Sequence, residues 1–359
     1  MEPYHVNLFY NPSATYSGAR TVKKVLEDAR IKVAACLGAR PSEIIFTAGG
    51  TEANNLAIHG VMRQYPNSQI IVSAIEHSAV LKPASHYASL VTPVTKGGIV
   101  DVEALSELVT DETVLISCMY ANNEIGTIQP IRDIAASVQA IRKDRLKRGV
   151  MLPLYLHVDA CQAPNYLDVH SARLGADLIS FNGSKIYGPK QSGALFVKGG
   201  LVLETVLDGG GQERGLRSGT ENIAGIVGFA TALDIACAER HGETKRLQEI
   251  QKYCFEQIAL RLPLATINGS LKQRLPNNIH LTLAGYDNER VLIELDEAGI
   301  MAAAGSACSA SSQTPSSVLA AIGLSDEMAQ SSIRATMGRG TVKADIDRLI
   351  NKLVDICKA

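Results

Sequence analysis

The sequence lacks several features that would identify a protein class at once. It has no tryptophan, only 5% aromatic residues and no excess of either charge, with 35 Lys and Arg against 36 Asp and Glu. A balanced charge gives no electrostatic footprint for nucleic acid or an anionic membrane. The longest mostly apolar stretch, Gly225 to Ala238, is too short to span a bilayer and contains Asp234. No basic segment followed by an apolar run opens the chain, so we expect no signal peptide.

Cysteine is sparse and scattered. The seven cysteines include no pair with CxxC spacing, so the sequence predicts neither a disulfide framework nor a zinc site. A reduced, cytoplasmic protein is the expectation. The length of 359 residues predicts about two domains.

Strand-like and helical patterns alternate through the first two-thirds of the chain. This alternation predicts an α/β fold with a mainly parallel sheet covered by helices on both faces. The expected buried strands are Glu43–Thr47, Gln69–Ser73, Thr113–Ser117, Leu154–Val158, Leu178–Phe181 and Ala194–Val197.

The pattern changes near residue 240. A charged helical stretch, Glu239–Leu262, is followed by a Gly/Ala/Ser-rich loop at 302–317 and an amphipathic helix at Lys343–Ile356. We therefore expect a large domain over 1–240 and a smaller α+β domain over 241–359.

Two strand ends carry the strongest chemical pattern. Lys185 lies in a turn just past one expected strand, and Asp159 and Gln162 follow another. Ligands bind at this end of the strands in open α/β sheets. An aspartate there can keep a pyridinium nitrogen protonated, which makes a pyridoxal ring an electron sink. Helix capping by Asp159 and a solvent-exposed Lys185 are the structural alternatives.

Glycine turns add anion-binding candidates. Gly50 and Thr51 stand between a strand and a helix start, where free N–H groups suit a phosphate; a turn capped by Thr51 is the alternative. The stretch 208–220, which ends at Thr220, is either an anion nest or a surface loop. His77 follows a strand and either stacks on a planar ring or is a partly buried structural histidine.

Three more residues have functional potential. Asn123 follows a strand end, where either turn chemistry or ligand contacts explain it. The Arg334 guanidinium suits a substrate carboxylate, with a surface salt bridge as the alternative. Cys308 lies among small residues in the 302–317 loop, and an accessible thiol is what a nucleophilic cysteine needs.

Taken in order, these motifs resemble one family. FTAGGTEANNLAIHG, EHSAVL, NNEIGTIQPI, HVDACQA, SFNGSKIYGPKQSGAL, GGGQERGLRSGTENIAGIVG, AAAGSACS and SSIRATMGR are similar to those of the NifS/IscS-like cysteine desulfurases. These are class V, fold-type I pyridoxal-phosphate enzymes. The resemblance implies L-cysteine as substrate, L-alanine as product and sulfur carried as a persulfide for iron–sulfur cluster assembly or thiolation.

The resemblance also implies residue roles. Lys185 would bind the cofactor covalently, Asp159 would face the pyridine nitrogen, Gln162 the phenolate oxygen, and His77 would stack on the ring. Asn123 and Arg334 would bind the substrate carboxylate, and Cys308 would accept the sulfur. The phosphate would be held by Gly50, Thr51, Asn182, Ser184 and, from the partner subunit of a homodimer, Thr220.

Departures from the family pattern keep alternatives open. Ser184 stands where the family commonly has a histidine, and the chain begins downstream of the family's Asn-Ala-Ala-Thr-Thr-like strand. A selenocysteine lyase, another class V lyase or aminotransferase, and a catalytically impaired cofactor-binding protein are the alternatives. A nicotinamide-dependent dehydrogenase is disfavoured, because no dinucleotide fingerprint follows any strand. The sulfur acceptor would be an iron–sulfur scaffold or a thiolation relay protein.

Overall fold

The computed structural model describes residues 1–305 and 316–358 of the chain. The chain forms two compact units. The first comprises Met1–Thr92, Val102–Tyr120 and Pro130–Arg240, and the second comprises Pro93–Asp101, Ala121–Gln129 and His241–Ala359. Within the described ranges, no helix combines the length and apolar character needed to cross a membrane.

A seven-stranded sheet is the centre of the first unit. Its strands are β1 (Ile44–Thr47), β2 (Gln69–Ser73), β3 (Ala88–Thr92), β4 (Thr113–Ser117), β5 (Tyr155–Asp159), β6 (Leu178–Asn182) and β7 (Gly193–Val197). Their order is β1-β7-β6-β5-β4-β2-β3. Only β7 pairs antiparallel with its neighbours, and the remaining pairs are parallel. The predicted mainly parallel α/β fold is confirmed.

The strands of this sheet that the sequence predicts are buried, whereas the one that it does not predict is exposed. The six expected strands all form, within two residues of their predicted ends, and their side chains are almost all buried. β3 was not expected. It lies at the edge of the sheet and is largely exposed, so it lacks the continuous apolar run that marks a strand buried on both faces.

Helices precede, separate and follow these strands along the chain. They are α1 (Pro3–Val6), α2 (Ser17–Leu37), α3 (Gly50–Gln64), α4 (Ser78–Ala84), α5 (Val102–Leu108), α6 (Ile131–Arg148), α7 (Ser171–Leu174) and α8 (Ile223–Arg261). The expected helix Glu239–Leu262 is wrong at its start, because α8 begins already at Ile223. The apolar stretch before residue 239 has no polar face to mark it as helical.

Gly38 ends α2 in the left-handed region, at φ +59°, and its N–H donates to the carbonyls of Ala34 and Ala35. A side chain at this position would collide with the His170 ring. Glycine therefore serves both the turn and the close packing at this helix end.

The second unit contains a three-stranded antiparallel sheet. Its strands β8 (Ala265–Ile267), β9 (Asn278–Leu283) and β10 (Ser332–Thr336) take the order β10-β9-β8. Its helices are α9 (Asn288–Glu297), α10 (Ser317–Ala321), α11 (Asp326–Gln330) and α12 (Lys343–Ile356). α12 has the predicted bounds, and its apolar face is buried.

Arg30 and Glu213 form a buried ion pair between α2 and the glycine-rich stretch 208–220. Arg30 Nη1 and Nη2 each donate to one Glu213 carboxylate oxygen, both at 2.8 Å. Arg30 also donates to the Ile44 carbonyl at 2.9 Å, and Glu213 accepts from the Phe46 N–H at 2.9 Å. The pair therefore fixes both α2 and the glycine-rich stretch to β1.

We expect Glu213→Gln to destabilise the protein, because Arg30 would lose its buried counter-charge and keep only the half-exposed Glu27, whose Oε1 lies 3.3 Å from Arg30 Nε. Breaking a buried pair in this way costs about 3–5 kcal/mol. The exposed Lys32–Asp234 pair, with its charged atoms 3.6 Å apart, is the matched control. Asp234→Asn should cost less than about 1 kcal/mol. Thermal unfolding of both variants checks this, and equal losses of stability would contradict it.

His157 lies inside the sheet between two serines. Its Nδ1 is 2.8 Å from Ser117 Oγ on β4, and its Nε2 is 2.9 Å from Ser180 Oγ on β6. Burial lowers the pKa of His157 to about 4. The folded protein therefore favours the neutral ring, which exchanges hydrogen bonds with both hydroxyls.

We expect His157 to make the fold acid-sensitive. An unfolded histidine has the ordinary pKa of 6.5, so between pH 6.5 and 4 the unfolded chain binds a proton that the folded chain does not. The contribution is complete above pH 6.5 and is lost as the pH falls toward 4. Calorimetric midpoints should fall over this window, and less steeply for His157→Gln. A variant with an unchanged pH profile would refute this assignment.

Candidate active site

One edge of the large sheet gathers most of the candidate residues. β2, β4, β5 and β6 run parallel, so their C-terminal ends share an edge. β1 is antiparallel to β7, and β7 is antiparallel to β6, so β1 also ends there. The residues that follow these ends are Gly50 and Thr51 after β1, His77 after β2, Asp159 and Gln162 at and after β5, and Asn182, Ser184 and Lys185 at and after β6.

Lys185 ends a short 3-10 turn, Gly183–Lys185, that directly follows β6. Asn182 Oδ1 caps this turn by accepting from the Ser184 N–H at 3.1 Å and from Ser184 Oγ at 2.9 Å. Asn165 Nδ2 donates to the Lys185 carbonyl at 2.9 Å. The backbone of Lys185 is thus fixed, while its side chain is exposed.

Asp159 is only 7% exposed at the end of β5. Its Oδ1 accepts from the Cys161 N–H at 2.9 Å, and its Oδ2 accepts from Asn54 Nδ2 at 2.7 Å. No helix begins here, so the helix-capping alternative is wrong. Gln162 is half-buried three residues further on.

The turn before α3 leaves the start of that helix open to a ligand. Gly49, at φ +134°, is the N-cap residue, and no side chain caps the helix. The alternative of a cap by Thr51 is therefore wrong. A Cβ at Gly50 would lie 2.5 Å from Cys161 Sγ, so only glycine fits. The first N–H groups of α3 and the positive end of its dipole suit an anion.

His77 is the half-buried N-cap residue of α4. Its Nδ1 accepts from the Ala79 N–H at 3.0 Å, which places the proton of the neutral ring on Nε2. The preceding Glu76 is buried, and its Oε1 accepts from the Met119 N–H at 2.6 Å. Burial raises the pKa of Glu76 well above its usual range.

Two other candidates meet in the second unit. Arg334 Nη1 donates to the Asn123 carbonyl at 2.9 Å, and burial lowers the Arg334 pKa. Ala303 and Arg334 exchange two backbone hydrogen bonds, and Ser316 Oγ donates to Glu124 Oε2 at 2.5 Å. Because the Arg334 guanidinium contacts a backbone carbonyl, this contact does not support the alternative of a surface salt bridge. Cys308 lies outside the described residues.

The glycine-rich stretch 208–220 is attached to the first unit through charged side chains. Arg214 donates to backbone carbonyls, including that of Pro41 at 2.9 Å. Arg217 Nε donates to Glu52 at 2.8 Å. Both arginines therefore have protein partners, which does not favour the anion-nest alternative. Thr220 is exposed.

Sequence reasoning did not single out three buried polar residues at this edge. Asn54 contacts Asp159, Asn165 contacts the Lys185 backbone, and Glu76 links the segment after β2 to the end of β4. Each is at most 7% exposed. For Asn54 a signal existed, since an amide among Ala53, Leu56 and Ala57 interrupts the apolar face of a helix.

Comparison with known proteins identifies the family. The aminotransferase class-V family model matches residues 1–349. The cysteine desulfurase IscS of Dictyoglomus turgidum is 40% identical over 367 residues, covering 98% of this chain and 90% of its own. The cysteine desulfurase IscS 1 of Archaeoglobus fulgidus is 38% identical over 360 residues, covering 98% and 91%.

Solved structures agree with this assignment. A NifS-like protein superposes with a TM-score of 0.88 at 30% identity, over 99% of this chain and 94% of its own. SspA in complex with cysteine superposes with a TM-score of 0.79 at 32% identity, over 95% and 93%. The chain therefore belongs to the aminotransferase class-V family, within its cysteine desulfurases of the NifS/IscS type.

Proposed function

We propose that this protein is a pyridoxal-phosphate-dependent cysteine desulfurase. It converts L-cysteine to L-alanine and carries the sulfur as a persulfide on Cys308. The observation that carries the proposal is the common sheet edge where Lys185 and Asp159 meet the open start of α3, in a chain 40% identical to a cysteine desulfurase.

The residues at this edge fit pyridoxal phosphate, which members of the family use. The uncapped start of α3, where a Cβ at Gly50 would collide with Cys161, suits a phosphate group. Asp159 is a buried carboxylate that suits a protonated pyridine nitrogen. Lys185 supplies an amine at the same edge. An anion site, a carboxylate and an amine are the three groups that this cofactor requires.

Each residue at the edge then has a role. Gly50, Thr51, Asn182 and Ser184 would hold the phosphate, together with Thr220 of a second copy in a homodimer. Asp159 would bind the ring nitrogen, Gln162 would donate to the phenolate oxygen, and His77 would contact the ring. When bound, the cofactor makes the Cα–H bond of an amino acid acidic.

Substrate chemistry then depends on Lys185 and on three further residues. Asn123 and Arg334 bind the carboxylate of L-cysteine, since a guanidinium suits bidentate capture of that group. The Lys185 amine takes the Cα proton, as a general base within hydrogen-bond reach. The Cys308 thiolate forms an S–S bond to the substrate sulfur while the Cβ–S bond breaks. The electron pair of that bond stays with the carbon product, which gains protons and leaves as alanine.

The proposal also covers the domains, the oligomeric state, the location and the sulfur acceptor. Residues 1–240, apart from the segments Pro93–Asp101 and Ala121–Gln129 of the second unit, form the cofactor-binding domain, and 241–359 carry the cysteine loop. The protein acts as a cytoplasmic homodimer that passes sulfur to an iron–sulfur scaffold or a thiolation relay protein. The relatives from Dictyoglomus turgidum and Archaeoglobus fulgidus are both named cysteine desulfurases, which favours this function over a selenocysteine lyase or a silent cofactor-binding protein.

We expect Cys308→Ala to retain the visible absorption of the bound cofactor and to release no alanine from L-cysteine. The physical reason is that the thiol proposed to accept the substrate sulfur would be missing. Alanine and sulfide assays measure the effect, with Cys357→Ala as a control that should turn over normally. Full turnover by Cys308→Ala under limiting reductant would remove this cysteine from the mechanism.

We expect borohydride reduction to attach the cofactor permanently to Lys185, because reduction traps an imine as a stable amine. Peptide mass spectrometry should find the added mass on the peptide containing Lys185. Lys190→Ala, which removes another exposed lysine of the same loop, should give the same labelled peptide, and Lys185→Ala should give none. Labelling of Lys185→Ala at an unchanged level would contradict the assignment.

A further inference from the structure

Asn54 has an unusual position for an amide side chain. It lies on α3, one helical turn after Gly50, and is 1% exposed. Its Nδ2 donates to Asp159 Oδ2 at 2.7 Å, while its buried Oδ1 has no partner among the described residues. A buried polar atom without a partner destabilises a fold. The retained amide therefore points to a role that an apolar residue at this position would not fill.

The orientation of the Asn54 amide is determined by its partner. Rotating the amide by half a turn would bring Oδ1 toward the carboxylate, and two acceptors would repel each other. Hydrogen bonds to charged acceptors are short and strong, which agrees with the 2.7 Å separation. Asn54 thus offers Asp159 a donor in a fixed direction.

The surroundings of Asp159 otherwise supply few donors. The Cys161 N–H donates to the other carboxylate oxygen at 2.9 Å. Glu76 Oε1 accepts from the Met119 N–H at 2.6 Å, and burial and the negative charge of Asp159 raise the pKa of Glu76. The Cys161 thiol is also buried, and burial raises its pKa well above the usual range. The 2.7 Å hydrogen bond from Asn54 Nδ2 is a side-chain contact that orients the Oδ2 oxygen.

We propose that Asn54 is a positioning residue that holds the Asp159 carboxylate toward the pyridine nitrogen and couples it to the phosphate-binding start of α3. The inference rests on the proposed function. Gly50 and Asn54 are one turn apart on α3. The same helix would therefore contact the phosphate directly and the pyridine nitrogen through Asp159. A shift of α3 would then move the phosphate site and the Asp159 carboxylate together.

The test is the affinity for pyridoxal phosphate, measured by titrating the apoprotein and following visible absorption. Asn54→Ala should weaken binding about tenfold, the effect of losing one hydrogen bond to a charged group. The neighbouring Asn55 donates to the Thr51 carbonyl at 2.8 Å. Asn55→Ala is the matched control and should change the affinity less than about twofold, because its partner is a neutral carbonyl.

A double-mutant cycle separates positioning from a structural role. In the Asp159→Asn background, Asn54→Ala should weaken cofactor binding no more than about threefold, because the charge it orients is gone. An equal loss of affinity in both backgrounds would overturn the proposal. So would unchanged affinity with only a lowered unfolding midpoint of the apoprotein. If the unmutated protein binds no cofactor, the proposed function itself fails.

Discussion

The parallel pairing of β4, β5 and β6 is the constraint on which the rest of the first unit depends. Parallel neighbours must end at the same edge of a sheet, so the residues after those strands meet whatever their distance in sequence. The register pairs Asp159 on β5 with Ser180 on β6. This pairing brings the carboxylate close to the turn that contains Lys185. β7 reverses direction and so lets β1 end at that edge as well.

Burying polar groups at this edge requires compensation. Asp159 obtains it from Asn54 and the Cys161 N–H, and Glu76 obtains it in part from the Met119 N–H. Glu213, in the glycine-rich stretch, obtains it from Arg30. In each case a carboxyl group leaves water only where donors from a distant segment are already in place. These contacts make the edge rigid as well as polar.

How far sequence predicts this structure depends on the range of the interaction involved. The buried strands and α12 follow from local periodicity, and Lys185, Asp159 and the Gly50 turn follow from turn chemistry at strand ends. The pairing of Arg30 with Glu213 spans 183 residues, and no local pattern marks either partner. Asn54 and Asp159 are similarly separated, by 105 residues. Such contacts depend on tertiary packing, which periodicity does not encode.

In the second unit, neighbouring contacts join Arg334 to Asn123 and also attach Ala303 and Ser316. Arg334 contacts the Asn123 carbonyl through its guanidinium and pairs with Ala303 through its backbone. Glu124, next to Asn123, accepts from Ser316. Ala303 precedes residues 306–315 in the sequence, and Ser316 follows them. Ala303 is hydrogen-bonded to Arg334, and Ser316 is hydrogen-bonded to Glu124, the neighbour of Asn123. If that pair binds the substrate carboxylate, Ala303 and Ser316 lie close to the substrate.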